Sequence, residues 1–131
     1  EELRKILTNA GAEISYDKPA QVQSAAASEF LRMEAEWESA YQLTLRAAWQ
    51  ADNNIPNSKE ASMSKAKAGR VGSDITLKAV EMVGTIGYSE QTLLEKWARD
   101  SKIMDIFEGT QQIQQLVVAR RLLGLSSSEL K

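Results

Sequence analysis

"PAQVQSAAASEFLRMEAEWESAYQLTLRAAWQA", residues 19 to 51, decides how the chain is read. Val22, Ala26, Phe30, Met33, Trp37, Tyr41, Leu45, Ala48 and Trp49 recur at steps of three and four, the spacing that gathers side chains on one helix face. Glu29, Arg32, Glu36, Glu38 and Arg46 take the opposite face. Pro19 suits a first helical turn, where its missing N–H costs nothing, and Asp17 stands in a capping position ahead of it. Asp52-Asn53-Asn54-Ile55-Pro56-Asn57 closes the run. A helix from about Pro19 to Ala51 is expected. Its aromatic residues Phe30, Trp37, Tyr41 and Trp49 read as core, with a cofactor-facing stripe as the alternative.

Outward from this helix the same punctuation repeats. Upstream, Leu3, Ile6 and Leu7 make a short amphipathic element stopped at Asn9-Ala10-Gly11. Downstream, Ser58 is placed to cap a helix over Lys59 to Val83, with Glu60 and Ser62 in its first turn. Its apolar stripe of Met63, Ala66, Val71, Ile75, Ala79 and Met82 is thin, and interleaved Ala and Gly permit close packing. Gly84-Thr85-Ile86-Gly87 reads as a flexible turn. Ser89 then opens a shorter helix over Glu90 to about Lys102 with Leu93, Leu94 and Trp97 inward. Thr110 caps a last helix carrying Ile113, Leu116, Val117, Leu122 and Leu123, closed by Gly124, and the final "SSSELK" reads as a frayed tail. Strand signals are scarce, and no solenoid period or long heptad appears. The expected fold is all-α, an antiparallel four-helix-type up-down bundle formed by one domain.

Composition narrows the chemistry. The chain has 131 residues, 43% hydrophobic and 26% charged, with a formal net charge of −2. That is the balance of a soluble globular protein, without the basic clusters that nucleic acid or an anionic membrane asks for. Cysteine and histidine are absent, so disulfides, thiolate nucleophiles, imidazole bases and the usual zinc sites go with them. Catalysis here falls to carboxylates, hydroxyls, backbone or a cofactor. No apolar run approaches a membrane span. Met63, Met82 and Met104 read as core.

One carboxylate stands out. In "SKIMDIFEGTQQIQQ", residues 101 to 115, Glu108 follows Ile106-Phe107 and precedes Gly109, at the doorstep of the last helix. Read alone, it is a helix-end charge complementing the dipole. Its surroundings say more. Glu81, then Gly84-Thr85-Ile86-Gly87-Tyr88, Arg99-Asp100, Phe107-Glu108-Gly109-Thr110 and Gln112-Ile113-Gln114, ending in "VVARRLLG", together resemble the C-terminal signature of the acyl-CoA dehydrogenases. Order, spacing and residue type agree from about 81 to 123. "AYQLTLRAAWQADN", "KEASMSKAKAG" and "SYDKPAQVQ" echo the family more loosely.

The resemblance implies a flavoenzyme that desaturates acyl-CoA thioesters. Glu108 matches the base that removes the α-proton while the β-hydrogen leaves as hydride to FAD. Ile106 and Phe107 are expected to dry the carboxylate and raise its pKa above about 4.3, and the following helix N-terminus acts in the opposite sense. Thr110 matches a flavin-contacting residue that also caps the helix, and Gln112 one near the FAD adenosine portion. Glu81, Gly84, Thr85 and Gly87 match a loop that reaches the FAD of a neighbouring subunit; a plain helix-linking turn is the alternative. Arg99-Asp100 is read as a structural ion pair or packing feature, not as catalytic.

The implied partners are an acyl-CoA substrate, an electron-transfer flavoprotein or other acceptor, and further copies in a homodimer or homotetramer, in the cytoplasm or, in a eukaryote, the mitochondrial matrix. An acyl-CoA oxidase and a non-catalytic oligomerisation module are the competing readings. Three positions depart from the family: Thr85 replaces a common glycine, Gln91 a usual acidic or amide residue, and Glu13 falls where an arginine meets FAD phosphates, if Tyr16 stands for the family's phenylalanine. The family's N-terminal helical and middle β domains are not in this sequence, so the chain alone is expected to be a fragment without turnover.

Overall fold

The computed structural model describes residues 1–126, 128 and 129. The part of the expected frayed tail at Ser127, Leu130 and Lys131 lies outside the described residues. Five α-helices and no strand occur among them: α1 (Glu2–Asn9), α2 (Ala25–Asp52), α3 (Ser58–Val83), α4 (Leu94–Ser101) and α5 (Gln111–Leu123). Short 3-10 turns at Ala20–Val22, Gly84–Tyr88 and Lys102–Asp105 join them.

Helix α3 is the shaft on which α1, α2, α4 and α5 pack. Cross-links run in descending register, from Glu36–Lys67 through Thr44–Ser64 and Arg46–Glu60 to Asn57–Ala47, so α2 and α3 are antiparallel. The chain then returns along α3, Ser101 meeting Thr76 while Met104 lies against Gly69. The all-helical antiparallel bundle is as expected.

Element ends differ where side-chain hydrogen bonds outcompete the helix. Helix α2 begins at Ala25, not Pro19. Gln23 holds the preceding chain in an extended bend, donating to the carbonyls of Ser15 and Lys18 at 2.8 Å each, and Ser24 rather than Asp17 accepts the capping N–H of Ala27. At α3 the cap position is Asn57, one residue before the expected Ser58. Its side chain turns back to donate to the Ala47 carbonyl at 2.9 Å. Helix α4 begins at Leu94, not Glu90, because the hydroxyls of Ser89 and Thr92 both donate to the Ile86 carbonyl and hold 89–93 in turns. Thr110 and Gly124 cap α5 as expected, Gly124 at φ +69°.

The core gathers around the C-terminal half of α3: Leu3 and Leu7, Phe30 and Met33, Ala79 and Val80, Leu94 and Ala98. The expected stripe along α2 only begins in it. Phe30 is 5% exposed, but Trp37 is 50% and Trp49 59% exposed, and Tyr41 stacks on Trp37 at 5.3 Å outside the core. The cause is angular. Steps of four advance roughly 40° around a helix of 3.6 residues per turn, so Met33, Trp37, Tyr41, Leu45 and Trp49 spiral away from α3. The small residues Ala40 and Ala47 face α3 instead, and Glu36 and Arg46 of the supposed outer face reach across to Lys67 and Glu60.

Further expectations, for α4, for Arg99-Asp100 and for the methionines, are corrected, and α5 is more open than its apolar residues suggest. Leu94 and Ala98 are the buried pair of α4, while Leu93 and Trp97 are exposed. Helix α5 buries none of its residues fully, and Ile113, Leu116, Leu122 and Leu123 are open. Arg99 and Asp100 do not pair with each other: Arg99 binds Glu95 and Asp100 binds Lys96, both on the exposed face. Met104 is exposed and Met63 is half-buried, while Met82, also half-buried, packs against the core as expected.

Candidate functional site

Glu108 sits in the tight turn between the 3-10 turn of Lys102–Asp105 and α5, with φ +55°. A left-handed backbone at a non-glycine residue is costly and persists where its surroundings hold it. Here they do. The Glu108 carbonyl accepts from Gln114 Nε2 at 2.9 Å, and the Gly109 carbonyl accepts from Lys65 Nζ. Gly109 has φ +96°, which favours glycine, and a Cβ there would press on Gln114 Nε2 at 2.7 Å, displacing the side chain that holds the Glu108 carbonyl. Thr110 Oγ1 accepts the Ile113 N–H at 3.5 Å and launches α5.

Before the turn, Asp105 is 8% exposed and bound to Arg70 at 3.3 Å, with Lys102 at 3.9 Å. The same guanidinium donates to Gln111 Oε1 after the turn. A Cβ on Gly69 would stand 2.6 Å from the Met104 carbonyl, so only glycine lets the 102–105 segment lie so close to α3. Lys65, Gly69 and Arg70 carry no site signal in the sequence; Gln114 enters there only within Gln112-Ile113-Gln114, and Asp105 only as an acid beside Ile106 and Phe107.

Glu108 is exposed and lies at the edge of a cleft of about 310 Å³ lined by Ala68, Gly69 and Gly72 of α3 and by Met104 and Phe107. Lys65 lines it too, yet Glu108 forms no ion pair among the described residues. Ile106 and Phe107 are themselves about half exposed, so the drying expected of them is incomplete within this chain. The cleft can admit an apolar chain beside an unpaired carboxylate. That is the arrangement a carbon acid needs from its base.

The other expected site residues lie elsewhere. Glu81 is exposed and paired with Lys78 at 2.7 Å. Gly84 has φ +58° with open space at its Cβ position, and Thr85 is exposed. Gly87 is buried, where a Cβ would stand 2.8 Å from the Val80 carbonyl. Gly87 thus serves the packing of the turn on α3, whereas Gly84 and Thr85 present an open surface. Along α3 this end stands roughly 20 Å from the Glu108 turn. Thr110 and Gln112 adjoin Glu108; Glu81, Gly84, Thr85 and Gly87 do not.

Glu13, the acid in a position expected to meet phosphates, is bound by Lys18 at 2.6 Å, and that hydrogen bond and charge hold its carboxyl below the usual range. Tyr16 donates to Glu34 at 2.6 Å, which pushes its phenol up, and Arg4 lies over its ring. No group of three or more potential metal ligands occurs among the described residues.

The profile of the acyl-CoA dehydrogenase C-terminal domain matches residues 2–123. The chain belongs to the acyl-CoA dehydrogenase family. It is 45% identical over 86 residues to the mitochondrial short-chain specific acyl-CoA dehydrogenase of Bos taurus, which covers 66% of this chain and 21% of that protein. A probable acyl-CoA dehydrogenase of Bacillus subtilis is 41% identical over 91 residues, 70% of this chain and 24% of that one. Butyryl-CoA dehydrogenase from Megasphaera elsdenii superposes with a TM-score of 0.78 at 28% identity, covering 92% of this chain and 32% of its own. The acyl-CoA dehydrogenase bundle described here thus spans about a fifth to a third of these relatives. No helix among its described residues is long and apolar enough to cross a membrane.

Proposed function

We propose that this bundle is the C-terminal domain of an FAD-dependent enzyme that introduces an α,β double bond into an acyl-CoA thioester, with Glu108 as the base. The observation that carries the reading is the unpaired Glu108 carboxylate at the rim of an apolar cleft, held on a rigid left-handed turn. Removing an α-proton needs a carboxylate that no cation neutralises, and an apolar wall where water would otherwise compete.

The residues beside Glu108 fit FAD. The Thr110 oxygen is committed to the α5 cap, which leaves its O–H free to donate, and the Gln112 amide is exposed next to it. The start of α5 adds N–H groups and a positive dipole end that favour phosphate or an electron-rich ring edge. Bound there, FAD would supply the two-electron acceptor for the β-hydrogen. Glu108 takes the α-proton, so the Cα–H and Cβ–H bonds break as the Cα=Cβ bond forms. Phe107 and Met104 bound the apolar side of the space beside it. The open surface of Gly84 and Thr85, far from Glu108, suits a second cofactor contact made toward another subunit, and Lys18 beside Glu13 offsets the charge that would repel phosphates there.

Exposed Trp37, Tyr41, Leu45 and Trp49 leave an apolar, aromatic surface winding along α2. We assign it to contact with another copy or with the family's N-terminal and middle domains. A bundle that stayed strictly monomeric by light scattering at micromolar concentrations would count against self-association. The chain by itself is expected to show no turnover.

The test uses the full-length protein. A yellow flavin spectrum bleached by acyl-CoA, with bleaching lost but flavin retained in Glu108→Gln, supports the reading. A colourless protein favours an oligomerisation module instead. Bleaching that passes electrons directly to oxygen identifies an oxidase, and an electron-transfer flavoprotein is otherwise the expected acceptor.

A further inference from the structure

Among the described residues, every polar tie around Glu108 goes to the main chain or to a flanking side chain, and none goes to the carboxylate. Lys65 spends its ammonium on the Gly109 carbonyl, although it lines the same cleft as Glu108. Arg70 grips Asp105, three residues before Glu108, and Gln111, three residues after it. Between them on α3, Gly69 sets the distance by direct backbone contact with Met104. From the other side, Gln114 fixes the Glu108 carbonyl.

From this juxtaposition we infer that Lys65 and Arg70 of α3 are positioning residues for the proton-abstraction step: a two-point clamp that fixes where the Glu108 carboxylate stands while leaving it unneutralised. The division of labour is specific. A lysine aimed at the carboxylate itself would stabilise its ionised form and weaken it as a base. Aimed one carbonyl further on, the same lysine holds the left-handed turn without that cost. Arg70 serves both ends of the turn through one guanidinium nitrogen, Nη2, which stands 3.3 Å from Asp105 Oδ2 and donates to Gln111 Oε1. Asp105 Oδ1 is buried without a hydrogen-bond partner among the described residues, so the Asp105 charge rests on Arg70, with Lys102 further off.

The inference rests on Glu108 being the base and is tested in the full-length flavoprotein beside Glu108→Gln. Lys65→Met keeps the aliphatic stem and removes the donor. Its kcat should fall roughly ten- to a hundredfold, the cost of displacing a reacting group by about 1 Å. KM should change little, the primary isotope effect from an α-deuterated thioester should rise, and Lys65→Arg should recover most of the loss. Because Arg70→Gln alone strands a buried acid, it is paired with Asp105→Asn, and the double variant should show the same kcat-selective loss with flavin retained. Lower thermal stability with unchanged kcat and isotope effect in Lys65→Met would overturn the clamp. So would a loss confined to KM. Glu108→Gln turning over normally would instead remove the underlying reading, a separate and distinguishable failure.

Discussion

The two glycine turns of this bundle solve different problems. Gly84–Tyr88 is self-contained: it folds back on its own helix, with Gly87 pressed on the Val80 carbonyl and Ser89 and Thr92 closing on Ile86. The Glu108 turn is held from outside, by Lys65, Gly69 and Arg70 of α3 and by Gln114 of α5. A connection needs only to join two helices. A turn that aims a carboxylate, the role proposed for Glu108, must also be fixed against the rest of the molecule, and side-chain ties from a helix remote in sequence, α3, separate one from the other.

Substitutions at the two glycines sharpen the contrast. Gly69→Ala drives a Cβ into the Met104 carbonyl, a backbone atom that cannot swing away. It should cost about 1–3 kcal/mol in denaturant unfolding and also lower turnover of the full-length enzyme by shifting Glu108. Gly87→Ala meets Val80 in the same manner and should destabilise by a similar amount, yet leave the α-proton step of the full-length enzyme unaltered. Equal catalytic damage from both would erase the distinction drawn here. Thr110→Ala removes the α5 cap and should cost about 1 kcal/mol, read as a lower Tm.

The smallest effect is expected at the α2–α3 seam, which neither turn touches. The Lys67 hydrogen bond and charge hold Glu36 below the usual carboxylate range. For Glu60, burial pushes upward but is outweighed by its backbone N–H, Lys59 and Arg46, so it too is lowered. Carboxyls lowered by folding contribute stability above their unfolded pKa of about 4.3, and that contribution fades as pH falls through the folded values. Stability should therefore decline with acid from about pH 5 downward, and Lys67→Met should make the decline shallower. An acid limb identical in Lys67→Met would remove the Glu36 contribution.

Local rules made part of this legible. Thr110 and Gly124 mark α5 to the residue because caps depend only on neighbours in sequence, and α3 was misplaced by a single residue. The aromatic stripe of α2 was legible as a stripe but not as a surface. Four-residue spacing tells which side chains are adjacent, while their slow rotation from Met33 to Trp49 decides which of them α3 can cover. Glu108, Thr110 and Gln112 were reached through motif order. The clamp was not, because Lys65–Gly109 and Arg70–Gln111 join residues about forty apart, and nothing local to either lysine or arginine announces its partner.

The most direct test of the central claim isolates proton removal from hydride loss. The full-length protein is incubated in D2O with a thioester that carries α-protons but no transferable β-hydrogen, and exchange at Cα is followed by NMR. Wild-type protein should exchange the α-proton, and Glu108→Gln should slow that exchange by two orders of magnitude or more while keeping its flavin. Exchange at an undiminished rate in Glu108→Gln would contradict the account.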